Sequence, residues 1–236
     1  MAMMGLPRPT SSAEILQNAL PARGELGSGP VYDTVMRRGT TLQWMGAALG
    51  VALMIVLAVG LSAPGHKLSL ALRLTARWSF LLFWLASAGG ALATLFGSRF
   101  SGVAARARDF GLAFASAHLA HLGLVAWLYY AYQGPGRSTI IIFGIAAFWT
   151  YLLALFSVKR MAAMLTPQVW KVLRTIGVEY ISLAFLYDFA RIRLQGGILH
   201  IVEYLPFLIL AVAGPLLRLA ALMKRRQQRG LASAGV

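Results

Sequence analysis

The stretch from Thr139 to Val158 reads TIIIFGIAAFWTYLLALFSV, and none of its residues carries a charge. At about 1.5 Å per residue, a helix of this length extends about 30 Å, the thickness of the hydrocarbon core of a bilayer. Lipid offers no water to satisfy backbone N–H and C=O groups, so a single segment that crosses it does so as a helix. Segments of comparable length and polarity run from Leu42 to Ser62, Trp78 to Phe96, Phe110 to Tyr130, Val169 to Phe189 and Leu199 to Leu222. The expected fold class is therefore all-α, a six-transmembrane-helix bundle.

The composition agrees. Of 236 residues, 58% are hydrophobic and 12% charged, with a mean hydropathy of +0.69, more apolar than a water-soluble core of this length requires. The net charge of +15 would raise nucleic-acid binding in a soluble protein, but most of the basic residues flank the apolar runs, where they meet lipid head groups. The absence of cysteine excludes disulfides, thiol redox chemistry and thiolate metal sites. Any metal or cofactor must be held by His, carboxylate, Tyr or Met.

Three regions follow. Residues 1–40 contain Pro7, Pro9, Pro21 and Pro30 and no signal-peptide core, and read as a polar cytoplasmic arm. Within it, Ser11 to Leu20 has the pattern of one short amphipathic helix, a lid or surface anchor, capped by Ser12. Residues 41–223 form the membrane domain, joined by turns such as Ala63-Pro64-Gly65, Gly134-Pro135-Gly136 and Gln195-Gly196-Gly197. Residues 224–236 are a basic cytoplasmic tail. Sixteen Lys and Arg lie on the side that holds both termini and six on the other, so the positive-inside bias puts N and C termini in the cytoplasm, with a bacterial inner membrane as the expected location. Gly46, Gly50, Ala86, Gly89, Gly90 and Ala93 are expected to let helices approach closely.

Ionisable groups at hydrocarbon depth are costly, which makes each one a functional candidate. His118 and His121 stand three residues apart on the third span and project from one face near mid-membrane. Glu179 lies near the centre of the fifth span and Asp188 near its outer end, while His200 and Glu203 open the sixth. A neutral imidazole can hydrogen-bond a neighbouring helix or ligate haem iron, given a second group to fix the ring. Glu179 is one candidate for that group, and a His–carboxylate pair without metal is the alternative. Trp127, Tyr129, Tyr130 and Trp149 read as an interfacial aromatic belt.

The run Arg108-Asp109-Phe110-Gly111-Leu112-Ala113-Phe114, followed by His118 and His121, resembles the third helix of the ferric reductase-like transmembrane family. The likeness extends over roughly Leu42 to Leu222 and takes in the six-span layout. It implies haem b, with His121 at the ligand position and His118 an additional histidine one turn earlier. Trp170-Lys171-Val172-Leu173-Arg174 resembles the start of the family's fifth helix, yet Arg174 stands where a haem histidine is expected, and a second such position falls near Tyr187 or Asp188. His200 is the remaining candidate for a lost partner ligand.

No Gly-rich phosphate loop or nicotinamide domain is present, so a redox role requires quinol or a separate reductase as donor. Arg106, Arg108, Lys159 and Arg160 either dock an acidic donor protein or serve as a topology signal alone. The leading expectation is a haem-b electron-transfer subunit of a membrane oxidoreductase. A haem-free accessory or scaffold subunit is the alternative. A small transporter ranks below both, because Pro206 and Pro215 interrupt the last span with no counterpart elsewhere.

Overall fold

The computed structural model describes residues 30–61, 67–132, 136–157, 161, 164–193 and 198–234. The expected helix at Ser11 to Leu20 lies outside them. Residues 1–40 and 41–236 form separate compact units, and the first enters the description only through the opening of helix α1.

Helix α1 spans Pro30–Leu61, α2 Lys67–Phe96, α3 Ser101–Ala105, α4 Ala107–Tyr132, α5 Arg137–Ser157, α6 Pro167–Arg193 and α7 Ile198–Ala234. A 3-10 turn at Gly97–Phe100 joins α2 to α3, and every element among the described residues is helical. Gly97 ends α2 with φ +78°, the left-handed conformation that glycine adopts without steric cost.

Among the described residues, five helical stretches are long and apolar enough to cross a membrane: Thr40–Gly60, Lys67–Ala105, Ala107–Ala131, Arg137–Ser157 and Val202–Leu231. The protein is thus a multi-pass membrane protein. The fifth segment expected from the sequence, now α6, is not one of the five. Lys171, Arg174, Glu179, Asp188, Arg191 and Arg193 dilute its hydropathy. The second expected span starts too late, because α2 continues back through Arg77 and Arg73 to Lys67. Arg73 Nε donates to the Ser69 carbonyl and Arg77 Nη2 to Glu203, so each has a partner while helical, although Arg77 Nε is buried without one among the described residues.

Helices α2, α4, α5, α6 and α7 close into a ring, each packed against the next, with α5 against α4 the thinnest seam. Aromatic side chains fill the centre: Phe80 meets Phe185 and Phe189 edge-on at 5.1 and 4.9 Å, and Phe83 lies 5.3 Å from Phe114. From Thr41 onward α1 packs on the outside, where Trp78 Nε1 donates to the Ala48 carbonyl, Trp44 meets Phe110 edge-on and Thr41 bonds Asp109. Outward-facing Leu53, Met54, Leu57, Ile141, Phe148 and Leu183 are exposed, the apolar surface that lipid covers.

Polar contacts collect at the two ends of this bundle. At the Thr41 end, Arg108 Nε donates to the Ser157 carbonyl, and Lys224 Nζ to that of Thr94. At the Glu203 end, Lys67 donates to the Gly60 carbonyl and Arg191 to Thr139 Oγ1. Of the glycines expected to allow close approach, Gly89 does so, and Gly177 joins it. A Cβ on Gly46, Gly50 or Gly90 would meet nothing within 4 Å, whereas one on Gly89 would stand 3.0 Å from Val103 and one on Gly177 2.8 Å from Trp149. Trp149 accordingly packs across α6 rather than joining an interfacial belt, while Trp127, Tyr129 and Tyr130 are exposed.

Candidate functional site

The histidines of α4 face the interior of the ring. Counting about 1.5 Å per residue from Ala107, His118 and His121 lie about 17 and 21 Å along a helix of about 39 Å, close to its middle. Their rings stack one above the other, with centroids 5.3 Å apart and planes 25° apart, and Phe114 extends the column 5.3 Å below His118.

Thr75 of α2 sets the tautomer of His121. Its Oγ1 lies 2.8 Å from the Ala71 carbonyl and 3.1 Å from His121 Nδ1. A hydroxyl carries one proton, and the carbonyl one turn back accepts it. Thr75 therefore accepts from Nδ1–H of His121, which leaves Nε2 as the unprotonated nitrogen. His118 differs: its Nδ1 is buried and has no hydrogen-bond partner among the described residues.

Both histidines line a cavity of about 380 Å³ to which all five ring helices contribute. This volume falls within the roughly 300–1,000 Å³ typical of small-molecule and cofactor sites. Phe185 and Asp188 of α6 and Tyr204 of α7 are on its wall, with Arg73 of α2 and Thr139 of α5 toward the Glu203 end. Apart from Thr150 the remainder is apolar, including Leu72, Val125, Phe143 and Phe189.

The other acidic candidates are drawn elsewhere. Glu179 forms a two-pronged pair with Arg218 of α7, at 3.0 and 2.8 Å, and Arg218 also reaches Ser182 Oγ. It therefore orients Arg218 and neither histidine, contrary to the role the sequence offered it. Glu203 bonds Arg77 at 3.3 Å and lies 3.8 Å from Arg73. The Arg77 guanidinium rests 4.5 Å from the centroid of the Tyr204 ring and 5.2 Å from that of Phe207, a cation–π stack that closes this end of the bundle. His200 belongs to the first turn of α7, and its side chain lies outside the described set. Of the candidates, the structure gathers His118, His121 and Asp188 around one cavity and leaves Glu179 and Glu203 in ion pairs of their own.

Thr75 and Tyr204 escape a sequence reading. Thr75 precedes Trp78, where the span is expected to begin, and so looks like a surface residue; Tyr204 looks like an interfacial aromatic. A signal for Thr75 exists in retrospect, since Thr75, Ser79 and Phe80 share the most buried face of α2.

A haem-type group needs a neutral imidazole with a free nitrogen, a fixed ring and an apolar slot. His121, Thr75 and the cavity supply these. The histidines stand on one wall only, and no group of three His, Asp or Glu residues that could hold a metal ion occurs among the described residues. No family model, curated protein or solved structure matches this chain.

Proposed function

We propose that this chain is the haem-b-binding membrane subunit of an oxidoreductase, resembling the ferric reductase-like family and working with a separate redox partner. The observation that carries the reading is the column formed by His118 and His121 on the wall of an interior cavity, with His121 Nδ1 held by Thr75. His121, whose ring Thr75 fixes, would hold the haem iron, and His118 packs beside it. A haem group in this place would supply one-electron chemistry. The chain's own residues hold the imidazole, exclude water through Phe143, Phe185 and Phe189, and offer the polar atoms of Asp188, Tyr204 and Arg73 at the cavity edge.

The reading includes a sixth crossing by α6. Its 27 residues are long enough to cross, and Glu179, its most central charge, is matched by Arg218. Both termini then lie on the cytoplasmic side of a bacterial inner membrane, where the excess of Lys and Arg belongs.

A haem-free accessory subunit is the second reading, favoured by the wall opposite the histidines, where α6 presents Phe185 and Asp188 and no imidazole. An absorbance spectrum separates the two. Protein expressed with haem supplied and purified in mild detergent is expected to show a Soret band that His121→Ala abolishes and His118→Ala retains. A wild-type protein without a Soret band, folded by the criterion of a cooperative thermal transition, leaves the accessory reading.

A further inference from the structure

A second recess opens at the Thr41 end of the same ring. It has a volume of about 480 Å³, and only Phe114, Thr150 and Ile181 are common to its lining and that of the histidine cavity. These three residues form the partition between the two spaces. The recess exists because the facing positions are small: Ala86 on α2, Ala107 and Gly111 on α4, and Ala154 on α5. A Cβ on Gly111 would sit 3.8 Å from that of Ala86, so α2 and α4 meet there while the α4–α5 seam stays open.

Its chemistry is two-sided. The walls carry Phe83, Leu153, Phe156 and Ile181, and the rim carries Trp170, Arg108 and Arg174. No acidic residue is among its lining residues. Arg108 uses Nε on the Ser157 carbonyl, which caps the end of α5 and holds the guanidinium at the mouth. Arg174 is exposed and makes no hydrogen bond or ion pair among the described residues. Two cations from different helices, an indole and an apolar slot that ends in the membrane match an amphiphile with an anionic head. A soluble anion would not use the slot, and an apolar molecule would not use the arginines.

We infer that this recess binds an anionic phospholipid, with its phosphate between Arg108 and Arg174 and an acyl chain along Leu153 and Ile181. Basic pockets between membrane helices at the end facing an anionic leaflet take head groups in this way. The bound lipid closes the α4–α5 seam, where helix packing is thinnest.

The full-length protein in mild detergent is titrated with phosphatidylglycerol and, separately, with phosphatidylcholine, with the thermal midpoint and native mass spectrometry as readouts. Phosphatidylglycerol is expected to raise the midpoint and to appear as a retained adduct, and phosphatidylcholine to do neither. Arg174→Gln breaks no hydrogen bond or ion pair among the described residues and is expected to weaken retention about fivefold, one basic residue's share of the attraction. Ala154→Leu fills the slot without changing charge and is expected to weaken retention as well. Lys171→Gln, one turn before Arg174 and outside the lining, is the control and is expected to retain the lipid. Equal losses in Arg174→Gln and Lys171→Gln would overturn the proposal in favour of general surface attraction. Protection by inorganic phosphate alone, or undiminished retention in Ala154→Leu, would overturn it in favour of a head-group site without a chain.

Discussion

The smallest unit of the account is one hydrogen bond, from His121 Nδ1–H to Thr75 Oγ1. Because the hydroxyl proton is committed to the Ala71 carbonyl, Thr75 has only an acceptor to offer, and the imidazole takes the matching tautomer. Thr75→Val keeps shape and volume and removes the acceptor. Partners that orient a metal-binding histidine typically contribute 10–100-fold to affinity. The expected outcome for Thr75→Val is haem retention lower by about one to two orders of magnitude, measured as Soret absorbance per protein after a haem-competition wash. Unchanged retention would assign Thr75 to packing alone. The sequence made the histidine pair and its shared helical face legible, since spacing alone dictates both. It did not make Thr75 legible, because arginines at 73 and 77 made this part of α2 look like a surface loop. Glu179 failed as a histidine partner for a related reason: spacing along a chain does not say which of two facing helices supplies a counter-charge.

At the scale of elements, α6 decides the topology. It is the one long helix whose charges keep it below the hydropathy of a membrane span, and its central carboxylate is bonded at both oxygens to Arg218. Removing one member of such a pair leaves the other's charge uncompensated, while replacing both is closer to neutral; with Glu179 half-buried the loss is smaller than for a fully buried pair. Glu179→Ala is therefore expected to lower the thermal midpoint in detergent well below that of the double variant Glu179→Ala/Arg218→Met. A double variant as unstable as the single one would show that the pair does more than balance charge. The α5–α6 contact adds a second test, since Trp149 and Leu153 stand 2.8 and 2.9 Å from where a Gly177 Cβ would be. Gly177→Ala forces both to shift and is expected to cost about 1–3 kcal/mol, whereas Gly46→Ala, with nothing near it, should cost little. The apolar runs were legible because membrane spans announce themselves by length. Which glycines are contacts was legible only for Gly89, because the rest depends on the neighbour across the gap.

For the whole molecule, ring closure by five helices yields two recesses on one axis, an imidazole-lined one toward the Glu203 end and an arginine-rimmed one toward the Thr41 end. Charge counting gives an expected orientation across the bilayer, and the absence of native cysteine makes it directly measurable. Single cysteines at Ser98 and Thr166 are expected to react with an impermeant thiol reagent only after the membrane is opened, and one at Ser138 before. A cysteine at Gln195 that reacts like Ser138→Cys would support a crossing by α6; one that reacts like Thr166→Cys would leave α6 on the cytoplasmic side with five spans. Overall helical architecture was open to sequence reasoning because hydropathy reports it residue by residue. The two recesses were not, since each arises from side chains of several helices that only packing brings together.

The most direct test of the central claim is the absorbance spectrum of dithionite-reduced protein, purified with haem supplied, before and after addition of carbon monoxide. If His121 alone holds the iron, a Soret band is expected in the reduced protein, and carbon monoxide should shift it. A reduced protein with no Soret band, or one whose band carbon monoxide leaves unmoved, would contradict the account.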